Sequence, residues 1–311
     1  MSGSAPDIRR RDFLVRGVKG MAAIAVSGGI GYYLGWPARG AGRPRQPAAE
    51  FFHLPDFSLP GLKGRMSIVR GADRVLGLRR GIEAVGGWSS FISRGDRVLL
   101  KVNAAFASVP ILGATTHPDL VHETAAQCFK AGAASVVVTD NPIHDAEACF
   151  ELTGIRAAAL AAGADLLLPR PEFFRPCHLP GAGLLSGWPV LAQPFAGINR
   201  LIGLAPVKSH HRSGASLSLK NWYGLLGGHR AVFHQDIHRL IAELARWVRP
   251  TLVILDGTSA MVSNGPTGGS LSDLKPTHTM IVSADPVAAD ACGAELLGRR
   301  PASLSFLMQA A

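Results

Sequence analysis

The sequence predicts an α/β fold in which helices cover a mainly parallel or mixed sheet. Short apolar segments rich in Val, Leu and Ile alternate along the chain with longer segments of helical periodicity, as in sheets with helices on both faces. The composition agrees, because 47% hydrophobic and 17% charged residues exclude a disordered chain. Prolines and glycines cluster near residues 170–195, which would allow a division into two lobes.

The predicted strands are short stretches in which β-branched residues and leucine dominate. In chain order they cover residues 66–70, 97–102, 135–140, 199–207, 251–256 and 279–283.

The predicted helices lie between these strands and show the wider apolar spacing of a helix face. Pro118, in a first turn preceded by Thr116 and His117, marks one helix start, and Gly154 divides another helix in two. The helices cover residues 73–85, 118–131, 146–162, 234–248 and 286–297.

The N-terminus resembles a twin-arginine export signal. Arg10 and Arg11 are followed by Asp12, Phe13 and Leu14, and then by an uncharged stretch over residues 21–35. We therefore assign residues 1–42 to a signal or an uncleaved anchor, 43–64 to a linker and 65–311 to a single α/β domain. The twin-arginine translocase is the expected partner. The protein should be periplasmic, or anchored on the outer side of the cytoplasmic membrane.

Charge and cysteine content narrow the ligand classes. The formal net charge is +10, but the basic residues are spread along the chain. This favours small anionic ligands, or a merely solvated surface, over nucleic acid. No C-x-x-C occurs, so no iron–sulfur cluster is expected within this chain.

Polar residues follow several predicted strands, where open α/β sheets bind ligands. Lys101 and Asn103 end one strand, and Thr116 and His117 precede a helix. A lysine and an amide that face a helix N-terminus would form an anion cradle. The alternative is ordinary N-capping by Thr116.

The segment 208–238 holds five of the eleven histidines. His234 and His238 are four residues apart on the predicted helix, so both would lie on one face and could share a divalent metal ion. Gln235 replaces the glutamate of the zincin pattern, which excludes a metallopeptidase of that type. A solvated helix face is the alternative. The other candidates in the segment are Lys208, His210, Lys220 and Asn221.

A third group of candidates follows residue 255. Asp256 ends a strand, where a carboxylate could orient a base. The run Asn264 to Gly269 is rich in glycine, and it should form a loop over the ligand. Gly265, Gly268 and Gly269 are its candidate ligand-binding residues.

Taken in order, these motifs resemble the domain-of-unknown-function 362 family, in its twin-arginine-exported branch. The motifs are K-x-N, T-T-H-P, K-x-H, L-K-N-x-x-G-L-L-G, F-H-Q-D-I-H, L-D-G, N-G-P-T-G-G and D-P-V-A-x-D, within about residues 64–300. Some members carry ferredoxin-like modules, so the resemblance implies redox work.

Together these observations predict an exported enzyme that acts on a small anionic substrate by metal-dependent or redox-linked chemistry. The alternative is a non-catalytic periplasmic ligand-binding or assembly factor for a membrane redox complex. The predicted catalytic residues are Lys208, His210, Lys220, His234 and Asp256, and His234 and His238 are the candidate metal ligands. The predicted substrate-binding residues are Lys101, Asn103, Thr116, His117, Asn221, Gly265, Gly268 and Gly269.

Overall fold

The computed structural model describes residues 51–311. The predicted export signal and the first part of the predicted linker, residues 43–50, lie outside these residues. In the last part of that linker, Phe57 is only 3% exposed and packs in the core. The described residues, 51–311, all belong to one compact unit, so a division into two lobes is not confirmed.

The predicted α/β fold is confirmed. The strands are β1 (Met66–Arg70), β2 (Arg97–Lys101), β3 (Ser135–Thr139), β4 (Asp165–Leu167), β5 (Phe174–Pro176), β6 (Pro189–Leu191), β7 (Arg200–His210), β8 (Gly214–Ser216), β9 (Leu252–Met261) and β10 (Leu274–Ser283). An eight-stranded sheet has the order β1-β10-β9-β7-β2-β3-β4, and β8 pairs with β7. The pairs β7/β9, β7/β2, β2/β3 and β3/β4 are parallel, whereas β1/β10, β10/β9 and β7/β8 are antiparallel. Strands β5 and β6 form a separate antiparallel pair.

Helices cover both faces of this sheet. Successive side chains of a buried strand point to opposite faces, so neighbouring residues pack into different cores. Leu99 packs into one core with the helices that follow β8, and Leu100 packs into the other with the helices that precede β4. The α-helices are α1 (Arg74–Ala84), α2 (Pro118–Lys130), α3 (Ala146–Leu152), α4 (Ile155–Ala161), α5 (Ser218–Asn221), α6 (Ile237–Trp247), α7 (Pro286–Leu296) and α8 (Ser305–Ala310).

The helix predicted over residues 234–248 begins later than expected. His234 belongs to a 3-10 segment, Arg230–Gln235. Asp236 has φ −133° and ψ 47°, which interrupts helical geometry before Ile237. The prediction that His234 and His238 lie on one helix is therefore wrong. Within residues 51–311 no helix has both the length and the apolar character needed to cross a membrane.

Candidate functional site

A crevice of about 630 Å³ lies beside the carboxyl ends of β2 and β3 and the last residues of β7. The chain runs outward from β2 through β3 to β4 and then returns to the other side of β2 as β7, so this is a topological switch point. Eight of the residues predicted from the sequence line the crevice: Asn103, Lys208, His210, Lys220, Asn221, His234, Gly265 and Gly268.

A buried ion pair lies beneath this crevice. The Nζ of Lys101 is 2.7 Å from Oδ1 of Asp140, and the two side chains are 0% and 2% exposed. The ammonium also donates to the carbonyls of Val102 (2.6 Å) and Asn221 (2.9 Å). Burial lowers the pKa of Lys101, and the charge of Asp140 opposes that shift. The carboxylate of Asp140 is therefore already neutralised.

The backbone of Gly224 lies directly against this ion pair. A Cβ atom at this position would collide with Oδ1 of Asp140 and would lie 2.7 Å from Nζ of Lys101. The carbonyl of Gly224 accepts a hydrogen bond from the amide of Asn141 at 3.0 Å. Glycine is therefore required here for a close approach and not for its torsion angles.

Two asparagines cross-link the strand ends above the pair. Nδ2 of Asn221 donates to the carbonyls of Lys101 (3.3 Å) and Leu204 (3.1 Å), which fixes its amide orientation. Its Oδ1 then accepts from Nδ2 of Asn103 at 3.3 Å. Oδ1 of Asn103 is left buried without a partner. Because Asn103 lines the crevice, this oxygen could accept a hydrogen bond from a ligand.

Two lysines that line the crevice have lowered pKa values. Burial, followed by the nearby charge of Lys220, lowers the pKa of Lys208 to about 7. Burial, followed by the charge of Arg230, lowers the pKa of Lys220 to about 8. Nζ of Lys208 donates to the carbonyl of Ala114 at 2.5 Å.

Arg230 adds a third cation that backbone carbonyls hold in place. Its Nη1 donates to Leu226 at 3.0 Å, and its Nη2 donates to Asn141 (2.7 Å) and Pro142 (2.9 Å). The ion pairs formed by residues 51–311 include neither Arg230 nor the two crevice lysines. The crevice therefore has a surplus of positive charge.

The two crevice histidines have opposite hydrogen-bonding roles. Nδ1 of His210 accepts from the amides of Arg212 and Ser213, both at 3.2 Å, so its proton is on Nε2. Nδ1 of His234 is 3.0 Å from the carbonyl of Ala231, so this nitrogen carries the proton and Nε2 can accept one. Burial lowers the pKa of His210 to about 2 and also lowers that of His234. The geometry provides one donor and one base.

The glycine-rich loop lies over the crevice, as its composition predicts. Asn264, Gly265, Pro266, Thr267 and Gly268 line the cavity, whereas Gly269 does not. Buried Asp273 anchors the loop, because its Oδ1 accepts from Nδ2 of Asn264 at 2.6 Å. A side chain at Gly265 would collide with the carbonyl of Ser209, so the loop is seated directly on β7.

A second buried carboxylate holds the short helix α5, which carries Lys220 and Asn221. Asp290 is fully buried on α7 and accepts from the amides of Ser218 (2.8 Å) and Leu219 (3.0 Å). Burial raises the pKa of Asp290 to about 7. The sequence gives Asp290 only as part of a motif, but the structure shows how it positions two crevice residues.

Four predicted residues lie away from the crevice. Asp256 pairs with Arg74 of α1 (2.5 Å) and lines a separate cavity of about 290 Å³ with His117. Oγ1 of Thr116 is occupied by the amide of Asn103 (2.8 Å) and the carbonyl of Leu204 (3.0 Å). The ring of His238 stacks on Phe306. The expected action of Asp256 together with the lysines is wrong, because β9 continues to Met261 and Asp256 therefore lies within the strand, beside the separate cavity, and not at the strand end.

The helix that His117 caps does not form the expected anion cradle with Lys101. Nδ1 of His117 accepts from the amide of Asp119 at 3.3 Å, and burial lowers the pKa of His117. Lys101 is fully enclosed by its pairing with Asp140. The N-capping alternative describes this helix better, although the cap is His117 and not Thr116.

The metal hypothesis finds limited geometric support. Residues 51–311 contain no group of three or more His, Cys, Asp or Glu side chains that could hold a metal ion. His210 is a poor third ligand, because two backbone amides keep the proton on its Nε2. The four cysteines are free, and Cys128, Cys149 and Cys177 are buried.

Several crevice residues were missed by sequence reasoning. Asp140 ends a predicted strand and is marked by the strand-end rule, but the sequence does not indicate that it pairs with Lys101. Arg230 comes two residues after a glycine pair, but its position depends on the carbonyls of Asn141 and Pro142, which are far away in the sequence, and no local pattern indicates this. Phe106 and Tyr223 also line the crevice, and each ring lies near an ammonium group, at 5.4 Å from Lys208 and 5.0 Å from Lys220.

Comparison with known proteins gives a family. The family model described as Domain of unknown function (DUF362) matches residues 98–295. A thylakoid-associated protein of Synechocystis sp. is 27% identical over 235 residues, 73% of this chain and 71% of that protein. The lactate racemase apoprotein from Thermoanaerobacterium thermosaccharolyticum has a TM-score of 0.47 at 12% identity, and a Thermotoga maritima protein 0.40 at 12%. These matches cover 78% and 74% of this chain but only 58% and 60% of those structures, less than two thirds of their length.

Proposed function

The chain belongs to the DUF362 family, and we propose that it is an exported enzyme that binds a small anionic substrate and transfers a proton to or from it. The observation that carries this proposal is the unbalanced charge of the crevice. Lys208, Lys220 and Arg230 line it, whereas its carboxylate, Asp140, is paired with Lys101. A carboxylate or phosphate group would balance these cations.

The proton-transfer part of the proposal rests on the histidines. A general base needs a free acceptor nitrogen and must be unprotonated at the working pH. His234 meets both requirements, because its Nε2 is the unprotonated nitrogen and its pKa is lowered. His210, which stays neutral, would donate from Nε2 to an oxygen of the substrate. Lys208, with a pKa of about 7, could return the proton.

A metal-dependent or redox-linked reaction has less support in this geometry. A shared metal would need His234 and His238 to act together, but they belong to different elements and His238 does not line the crevice. Burial raises the pKa values of the cysteine thiols, to about 11 for Cys149 and Cys177. Such thiols are poor redox nucleophiles.

The location forms part of the same proposal. Arg10 and Arg11 would direct the folded chain to the twin-arginine translocase, and the protein would then work in the periplasm or on the outer side of the cytoplasmic membrane. The Synechocystis relative is named for its association with thylakoids, which supports a place near a membrane. If the protein were instead a non-catalytic assembly factor, its partner would be a membrane redox complex.

Binding of two simple anions tests the charge argument. We expect propionate and inorganic phosphate to bind the full chain in calorimetric titrations, and Lys220→Met to weaken binding at least tenfold. Lys275→Met is the matched control, because Lys275 is exposed on β10 and lies outside the crevice. Absence of binding to wild type would refute the anion site.

Turnover is tested with small carboxylates that have a C–H bond next to the carboxylate. Incubation in D2O should exchange that hydrogen, and NMR would detect the loss of its signal. His234→Ala should abolish exchange and retain anion binding, whereas His122→Ala, at an exposed position on α2, should leave both unchanged. Binding without any exchange across the carboxylates tested would favour the non-catalytic alternative.

A further inference from the structure

The crevice continues into a second cavity of about 770 Å³, here called the outer cavity. Five residues line both spaces: Asn141, Ile143, Tyr223, Arg230 and His234. A ligand bound by the crevice lysines could therefore extend past Arg230 without leaving the protein surface.

The outer cavity has largely apolar walls. Four prolines line it (Pro142, Pro169, Pro171 and Pro189), together with the ring of Phe174. Proline has no backbone N–H group, so these segments present ring carbons and few donors. Arg170 and His229 are exposed members of the lining, and the guanidinium of Arg170 lies 5.8 Å from the ring of Phe173.

Several polar groups of this wall are already paired within the protein. Nδ2 of Asn141 donates to the carbonyl of Leu226 (2.7 Å), and Nε1 of Trp188 donates to that of Gly227 (3.0 Å). The amide of Gly227 donates to the carbonyl of Pro189 at 2.8 Å. A polar ligand group buried against this part of the wall would lose hydrogen bonds to water without replacement, whereas an apolar group would gain from burial.

Two further features favour an apolar occupant. Gly227 lets the ring of Phe174 lie on the backbone, because a Cβ atom at Gly227 would be 2.5 Å from Cδ1 of that ring. Ile143 is 61% exposed at the junction of the two cavities. A ligand that passes through this junction would cover a large apolar side chain that is now in water.

We infer that the substrate is an amphipathic anion whose charged head lies among the crevice cations and whose apolar tail lies in the outer cavity against Phe174 and the prolines. This inference rests on the proposed function, since the head is the small anionic group described above. It adds a substrate class, namely carboxylates or phosphates that carry an aromatic or alkyl tail.

The test compares two carboxylates that differ in the tail, propionate and 4-phenylbutyrate, by calorimetric titration of the full chain. We expect the tail to tighten binding at least tenfold, which corresponds to about 1.4 kcal/mol. Ile143→Ser should reduce this gain at least threefold without a folding defect, because the side chain is mostly exposed. Phe174→Ala should do the same. Ile111→Ser is the matched control, since Ile111 is 66% exposed beside the separate Asp256 cavity.

The outcomes separate this inference from the proposed function. Equal affinity for the two carboxylates would overturn the tail site and leave the anion site intact. A tail gain that survives in both Ile143→Ser and Phe174→Ala would also overturn it, because the tail would then lie elsewhere. If neither carboxylate nor phosphate binds wild type, the anion site fails and this inference fails with it.

Discussion

Replacement of Lys101 by methionine should destabilise the fold by about 3 kcal/mol. Methionine retains most of the aliphatic stem but removes the ammonium, which leaves Asp140 charged, 2% exposed and without its cation. Loss of one partner from a buried ion pair costs about 3–5 kcal/mol. We expect the low end of this range, because Asp140 keeps the hydrogen bonds from the amides of Ala104 (2.6 Å) and Asn141 (2.9 Å).

Urea denaturation at pH 7, followed by circular dichroism, measures this free energy of unfolding. The double variant Lys101→Met, Asp140→Asn should recover at least about 1 kcal/mol, since the unpaired charge is gone. Lys275→Met, at an exposed site, should stay within about 0.5 kcal/mol of wild type. A Lys101→Met protein within about 1 kcal/mol of wild type would refute the reasoning.

Three further predictions concern charge, positioning and export. Affinity for propionate should fall at least tenfold between pH 6 and pH 9, because the pKa values of Lys208 and Lys220 are lowered to about 7 and about 8. Only the protonated ammonium group attracts an anion. An affinity that calorimetry finds unchanged over this pH range would contradict the prediction. Asp290→Ala should lower the free energy of unfolding by about 2–4 kcal/mol, because two buried amides lose their acceptor. Urea denaturation measures this free energy, and an unchanged urea midpoint would count against the positioning role of Asp290. Lysine at both Arg10 and Arg11 should leave the protein in the cytoplasm in cell fractionation, and normal export would exclude the twin-arginine route.

The sequence predicted the edge of the sheet that carries the site, but not how far each strand runs. The predicted strand over residues 251–256 puts Asp256 at a strand end, where the strand-end rule treats it like Lys208. In the structure β9 continues to Met261, which pairs with Lys208, whereas Asp256 pairs with Pro206 and lies further back along the sheet, where it meets Arg74. The end of a strand is set by pairing across the sheet, which local sequence does not show.

Local spacing failed where the backbone departs from regular geometry. The interval from His234 to His238 fits one helical turn, but the torsion angles of Asp236 separate the two residues. Arg230 is placed by carbonyls from residues 141–142 and 223–226, a combination that exists only after folding. By contrast, the glycines of residues 264–269 predicted a loop over the ligand, because glycine permits backbone contact that other residues would prevent.

The cluster of unpaired cations also makes the bound anion a counterion for the fold itself. Burial lowers the pKa values of Lys208, Lys220 and Arg230, and repulsion adds to this effect, because the charge of Lys220 lowers the pKa of Lys208 and the charge of Arg230 lowers that of Lys220. An anion that binds only the native state stabilises it by RT ln(1 + [L]/Kd), about 2.7 kcal/mol at one hundred times Kd. The concentration of substrate around the protein would thus set how long each molecule stays folded and resists proteolysis. Metabolite supply and protein lifetime would rise and fall together.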